Sequence, residues 1–177
     1  TTDQARRPDF FPIDERVERV DLGLNYDQFD ELSPWKRYWK TYQLRSQHKA
    51  RLEAELKRLH ADITVSVWRQ EASFLPDLKD GSRKILELHT SKFAPVRMYP
   101  VGSKLKRQFG HLRVVIQERV AARYDRFVIL THEEKPFWKG FSNLSVIPNP
   151  LSFKSQKRAD ASAHRVMIAG RMEYVKN

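Results

Sequence analysis

Short apolar runs alternate with longer amphipathic segments through most of this chain, and this alternation constrains the fold more than any other feature. The runs lie at residues 63 to 67, 84 to 89, 127 to 131 and 145 to 147. Short unbroken apolar strands separated by helices are typical of a parallel sheet that helices cover on both faces. The sequence therefore predicts an α/β fold with a Rossmann-like parallel sheet.

Two long segments are predicted to be helices. The first begins at Ser33-Pro34, because Ser can accept from orphan backbone N–H groups and Pro lacks a donor at the first helical position. It runs to about residue 60, and the second covers residues 103 to 124. We expect each apolar stripe to face the core. The stripes are Trp35, Trp39, Tyr42, Leu52, Leu56 and Leu59 in the first helix, and Leu105, Phe109, Leu112, Val115, Ile116, Val120 and Tyr124 in the second.

Three further segments complete the predicted elements. Residues 17 to 22 alternate apolar and charged side chains, a pattern that predicts a half-exposed or edge strand. A short helix is expected at residues 133 to 138, and a last strand at residues 166 to 169. Trp138 is expected to lie in the core.

The net charge of +11 is unevenly spread along the chain. Residues 1 to 31 hold nine acids and four Arg, a net of −5, so that the remainder carries about +16. Such a field attracts polyanions, whether nucleic acid, anionic lipid headgroups or phosphorylated small molecules. The chain contains no Cys and no apolar run near the ~20 residues that cross a bilayer. A cytoplasmic location is therefore expected.

Four motifs follow one another in the second half of the chain. They are YDRFVILT at residues 124 to 131, THEEKPFW at 131 to 138, VIPNP at 146 to 150, and GRMEYVKN at 170 to 177. In this order and at this spacing they resemble family 4 glycosyltransferases, which are retaining enzymes with two Rossmann-like domains, the GT-B type. The resemblance thins toward residue 1.

The resemblance implies an internal fragment of such an enzyme, and hence an incomplete GT-B fold. Residues 1 to 150 would be a partial acceptor-side domain, 151 to 163 the interdomain linker, and 164 to 177 the first strand and phosphate turn of a truncated donor-side domain. The parent enzyme would transfer a sugar from a nucleotide-sugar donor to a glycan or lipid-linked acceptor with retention. The fragment alone is expected to be inactive.

Candidate site residues follow from the same motifs. Arg offers a planar fork for phosphate and Lys a point charge, and the resemblance implies that Gly170, Arg171 and Lys176 hold the donor diphosphate. It also implies that His89, at the end of a strand, contacts the donor sugar or lies near the reacting carbon. Glu87 lies on the same strand face and could orient His89. Each assignment has a simpler alternative, a solvated turn for the cations and a local hydrogen bond for the His.

Two roles are possible for Glu133 and Glu134. As acids in a first helical turn, which Thr131 would cap, they complement the helix dipole. A specific orienting role would come from the resemblance, although the family more usually has Asp where Glu134 stands. No metal site and no bound cofactor are expected, because the His residues are scattered and the family generally needs no metal.

Partners and alternatives stay open at this level. The basic segment from Ser103 to Arg126, with a net of +5, is either a solvated helix face or a contact with anionic lipid. An exposed sheet edge could support a homodimer. The rival function is a basic nucleic-acid-binding domain, which is disfavoured if the aromatics of the first helix lie in the core. A noncatalytic partner subunit is the third alternative.

Overall fold

The computed structural model of the protein describes residues 12 to 99, residues 102 to 150 and Ser162. The strands are β1 (Ile63–Val67), β2 (Arg83–Leu88), β3 (Arg126–Ile129) and β4 (Leu144–Val146). The α-helices are α1 (Pro34–Leu59), α2 (Ala94–Arg97) and α3 (Lys104–Ala121). Short 3-10 helices cover Asp27–Phe29, Gln70–Ser73, Leu75–Asp77 and His132–Trp138.

The four strands form one parallel sheet in the order β1-β2-β3-β4. In the β3–β4 pair, Phe127, Val128 and Ile129 lie opposite Leu144, Ser145 and Val146. Helical segments occur between successive strands, as parallel pairing requires, because a parallel connection must return the chain to the same end of the sheet. The prediction of an α/β, Rossmann-like parallel sheet is confirmed.

The chain divides into two compact units, Thr1–Leu86 and Glu87–Asn177. In the first, Leu52 and Leu56 of α1 are buried, and the Arg51 guanidinium donates to the Leu22 carbonyl at 2.7 Å. In the second, Phe127 and Trp138 are fully buried, with ring centroids 4.6 Å apart. The placement of Trp138 in the core is confirmed. The predicted linker at residues 151 to 163, apart from Ser162, and the predicted strand at residues 166 to 169 lie outside the described residues.

The N-terminal half of α1 departs from the prediction. Its limits agree with the sequence pattern, but Trp35, Trp39 and Tyr42 are exposed rather than buried. The reason is that α1 buries a different face, on which His48, Leu52 and Leu56 lie. Ser33 is the N-cap residue, yet its side chain makes no capping hydrogen bond. The prediction that these three aromatics lie in the core is therefore wrong, and with it goes the reason that it gave against nucleic-acid binding.

Two smaller predictions in the first unit are also wrong. Residues 17 to 22 form no strand; the segment has only an isolated bridge residue at Asp21, and alternation alone does not supply a pairing partner. Leu59, the last member of the predicted stripe of α1, is more than one-third exposed. It is the final residue of the helix, directly before His60, which ends α1 in the left-handed conformation.

The second long helix, α3, also buries another face than predicted. Val120 and Tyr124 are buried as expected, but five members of the predicted stripe are exposed. These are Leu105, Phe109, Leu112, Val115 and Ile116. The buried face runs instead through Gly110, Val114, Gln117 and Ala121, a series at helical spacing. Hydrophobicity alone did not indicate this face, because it contains a glycine and a glutamine.

Gly110 permits close packing between α2 and α3, and its replacement is a sharp test of this face. A Cβ atom at Gly110 would lie 2.7 Å from the Pro95 carbonyl oxygen and 2.8 Å from the Val96 Cα. We expect Gly110→Ala to destabilise the protein by about 1–3 kcal/mol in urea unfolding, although Ala is the better helix former. Gly102→Ala is the control, because nothing lies within 4 Å of that position. Equal stability of the two variants would contradict the packing described here.

Candidate functional site

The candidate site lies where β2 and β3 end, within residues 87 to 134. His89 directly follows β2, and Thr131 comes two residues after β3. The two strands are neighbours in the parallel sheet, so that their carboxyl ends meet at one edge. In open α/β sheets, ligands bind in the crevice beyond this edge.

Glu87 and His89 form a hydrogen-bonded pair at the end of β2. The Glu87 Oε2 and His89 Nε2 atoms are 3.0 Å apart, and the His89 side chain is 44% exposed. Leu88, between them in sequence, is buried, as expected where successive side chains of a strand point to opposite sides. A carboxylate at one ring nitrogen restrains the imidazole and leaves the Nδ1 nitrogen for another hydrogen bond. Such a pair can bind a hydroxyl-bearing ligand or carry a proton.

Glu134 connects the segment after β2 with the segment after β3. Its Oε2 atom accepts a hydrogen bond from the backbone N–H of Lys92 at 3.0 Å. Lys92 comes three residues after His89, so this bond restrains the loop that carries the imidazole. The sequence allowed two roles for Glu134, one in complementing the helix dipole and one in orienting the site. In the structure Glu134 lies in the first turn of the 3-10 helix and also contacts this loop.

Lys92 is the residue of this region that sequence reasoning missed. Its buried ammonium donates hydrogen bonds to the Glu118 carboxylate and to the Phe137 carbonyl, and it lies 4.7 Å from the centre of the Trp138 ring. A cation over the face of Trp is attracted by the ring quadrupole. No motif marks this lysine, and the only available signal was its position between the predicted site and the basic helix.

Glu133 lies beside the site and is held by its neighbours. Its carboxylate accepts hydrogen bonds from its own backbone N–H and from the Thr131 side chain, which keep the pKa of Glu133 below its ordinary value. Thr131 is the N-cap residue, but its hydroxyl makes no capping hydrogen bond to the backbone. The capping role predicted for the Thr131 side chain is therefore wrong.

This arrangement predicts a measurable change when the Thr131 hydroxyl is removed. In Thr131→Val, which keeps the shape of the side chain, we expect the pKa of Glu133 to rise toward the ordinary Glu value of about 4.3 without reaching it. The backbone N–H still favours the carboxylate. An NMR titration of the Glu133 side-chain carboxyl resonance, in the parent and in the variant, measures the change. An unchanged pKa of Glu133 would show that the hydroxyl contributes nothing.

Gly170, Arg171 and Lys176 lie outside the described residues. Within the part that the structure describes, no group of three or more His, Cys, Asp or Glu is arranged to hold a metal ion. In residues 12 to 99 and 102 to 150, no helix combines the length and the apolar character of a membrane span.

Comparisons with protein-family models, with curated proteins and with solved structures find no match to this chain.

Proposed function

We propose that this chain is part of a retaining glycosyltransferase, which transfers a sugar from a nucleotide-sugar donor to a glycan or lipid-linked acceptor. The observation that carries the proposal is the Glu87–His89 pair at the carboxyl end of β2, in the position where such sheets bind ligands. The resemblance of the four motifs supplies the reaction class. A sheet of this kind serves many activities, so the fold by itself does not select one.

Each candidate residue has a distinct role in this proposal. His89 contacts the donor sugar close to the reacting carbon, and Glu87 orients its ring. Glu134 positions the same loop through the Lys92 backbone. Gly170, Arg171 and Lys176 hold the diphosphate, where fixed cations stabilise the negative charge that develops as the glycosyl bond breaks. No metal enters this scheme.

The activity test uses the protein expressed from the whole reading frame that encodes this chain, because we propose that residues 1 to 177 alone do not turn over substrate. Purified protein is incubated with a panel of nucleotide sugars and lipid-linked or glycan acceptors, and nucleotide release is measured. We expect His89→Ala to lower the rate roughly a hundredfold. His111→Ala, an exposed substitution on α3, is the matched control and should leave the rate unchanged.

A second measurement separates the role of Glu87 from a loss of folding. Glu87→Gln keeps the size of the side chain and one hydrogen-bonding oxygen but loses the charge. We expect a smaller loss of rate than in His89→Ala, with unchanged thermal stability, because both side chains are partly exposed. Full activity of His89→Ala, or no nucleotide release with any donor in the panel, would contradict the proposed function.

A further inference from the structure

An exposed aromatic cluster covers one face of the N-terminal part of α1. Its four rings are large and accessible, and every residue from Pro34 to Lys40 is exposed. The exposed fractions are 68% for Trp35, 62% for Tyr38, 48% for Trp39 and 61% for Tyr42. At about 100° per residue, these positions fall within a sector roughly 100° wide. We call this surface the aromatic face of α1.

The rings of the aromatic face pack against one another. Trp39 is edge-to-face with Trp35, with Tyr38 and with Tyr42, and the centroid distances are 5.9, 6.4 and 6.3 Å. Edge-to-face contact is a favourable arrangement of aromatic pairs. The four side chains therefore form one continuous apolar surface with polar hydroxyl and indole N–H groups.

Cations surround this face without any neighbouring acid on the helix. Between Leu32 and Leu52 the chain holds six Lys and Arg residues and no Asp or Glu. By the same helical spacing, Lys36 lies on one flank of the aromatic face, Arg45 lies on the other, and exposed Lys49 falls within the same sector two turns beyond Tyr42. A surface of this composition is complementary to a negatively charged, partly apolar partner.

We propose that the aromatic face of α1 docks on the surface of an anionic lipid bilayer, with the helix lying in the interface rather than crossing it. Trp and Tyr favour the membrane–water interface, because their rings enter the apolar region while their polar groups stay near the headgroups. Flanking Lys side chains reach anionic headgroups and bury their methylene stems. This inference goes beyond the proposed function and does not depend on it.

The ring geometry favours lipid over nucleic acid as the partner. Bases stack on flat aromatic faces that are open to solvent. In the aromatic face of α1, Trp35 and Tyr38 stack on each other with ring centroids 6.2 Å apart, and Trp39 meets three rings edge-to-face. Neighbouring rings therefore already occupy part of the area on which bases would stack. A lipid interface makes no such demand, because it accepts aromatic side chains in any orientation and responds to total apolar area and to charge.

The experiment measures binding of the full 177-residue chain to vesicles. One preparation contains phosphatidylglycerol and phosphatidylcholine in equal amounts, and the other contains phosphatidylcholine alone. We expect binding to the anionic vesicles, with a blue shift of Trp emission. Trp35→Ala with Trp39→Ala should weaken binding by about tenfold or more, and Lys36→Gln with Lys49→Gln by roughly tenfold. All four residues are exposed, so thermal stability should hardly change.

The matched control is Leu105→Ala with Phe109→Ala, which removes two exposed apolar side chains at the same spacing on α3. It should leave vesicle binding unchanged. Equal binding by the Trp variant, or loss of binding in the α3 variant alone, would overturn the proposal. So would a Trp-dependent affinity for single-stranded oligonucleotides, or a Trp-dependent dimer in size-exclusion chromatography, if vesicles are not bound.

Discussion

Trp138→Ala is expected to destabilise the protein by about 3–5 kcal/mol, the cost typical of removing a large buried aromatic side chain. Trp138 is 1% exposed and packs edge-to-face with Phe127 and with Phe141. Its loss would leave a cavity and would also remove the ring beneath the Lys92 ammonium. Urea unfolding followed by far-UV circular dichroism measures the change in the free energy of unfolding.

Trp138→Phe separates the contribution of the ring from that of the indole N–H group. Within the described part of the chain, the Trp138 Nε1 atom is buried and has no hydrogen-bond partner. Removal of the indole N–H group therefore breaks no hydrogen bond, and the Phe ring still fills part of the volume that the indole occupies. We expect a loss of about 1–2 kcal/mol, well below that of the Ala variant. Equal losses in the two variants would mean that the phenyl ring retained in Trp138→Phe contributes little to stability.

The second large effect is expected at a buried ion pair in the first unit. The Asp80 carboxylate and the Lys84 ammonium have side-chain exposures of 0% and 6%, and Ser82 donates to Asp80 at 2.6 Å. Asp80→Ala would remove the carboxylate that the buried Lys84 ammonium contacts, and we expect a loss of about 3–5 kcal/mol. Lys79→Met, an exposed substitution nearby, is the control and should stay within about 0.5 kcal/mol of the parent.

A double substitution tests whether the cost comes from an unpaired charge. Removing both charges, with Asp80→Ala and Lys84→Met, should cost much less than Asp80→Ala alone, because no buried ion then lacks a partner. Measuring the free energy of unfolding of the parent, of Asp80→Ala, of Lys84→Met and of the double variant completes a double-mutant cycle. Additive losses would show that the two side chains do not interact.

The same pair makes stability depend on pH. Burial raises the pKa of Asp80, but hydrogen bonds from Lys84 and Ser82 outweigh it, so that the pKa is lowered overall. The folded chain therefore resists protonation of Asp80 more than the unfolded chain does. Its stabilisation is present above the ordinary Asp pKa of about 3.9 and is lost as the pH falls through the lower folded-state pKa. The acid loss of stability should be shallower in the double variant.

The fold was predictable from sequence because its signal is local. Residues 63 to 67 form a strand with the predicted limits, and α1 begins at Pro34 as the proline position indicated. Glu87 and His89 were also predictable as neighbours, since side chains two apart on a strand share a face. Each of these inferences needs only the geometry of one element.

Predictions that required knowledge of a partner surface were wrong. The period of Trp35, Trp39 and Tyr42 identifies a face of α1 correctly, but periodicity does not say whether another element covers that face. In α3, the contact at Gly110 selects a buried face that hydropathy does not mark. Lys92 went unnoticed for the same reason, since its partners Glu118 and Glu134 are far away in sequence.

Buried amines give each compact unit its own chemical reporter. Lys84 belongs to the unit Thr1–Leu86 and Lys92 to the unit Glu87–Asn177, and less than a tenth of either side chain is exposed. A water-soluble acylating reagent reaches such an amine only when the surrounding structure opens. The rates of labelling at the two positions, read from one peptide digest, therefore give the opening of the two halves separately.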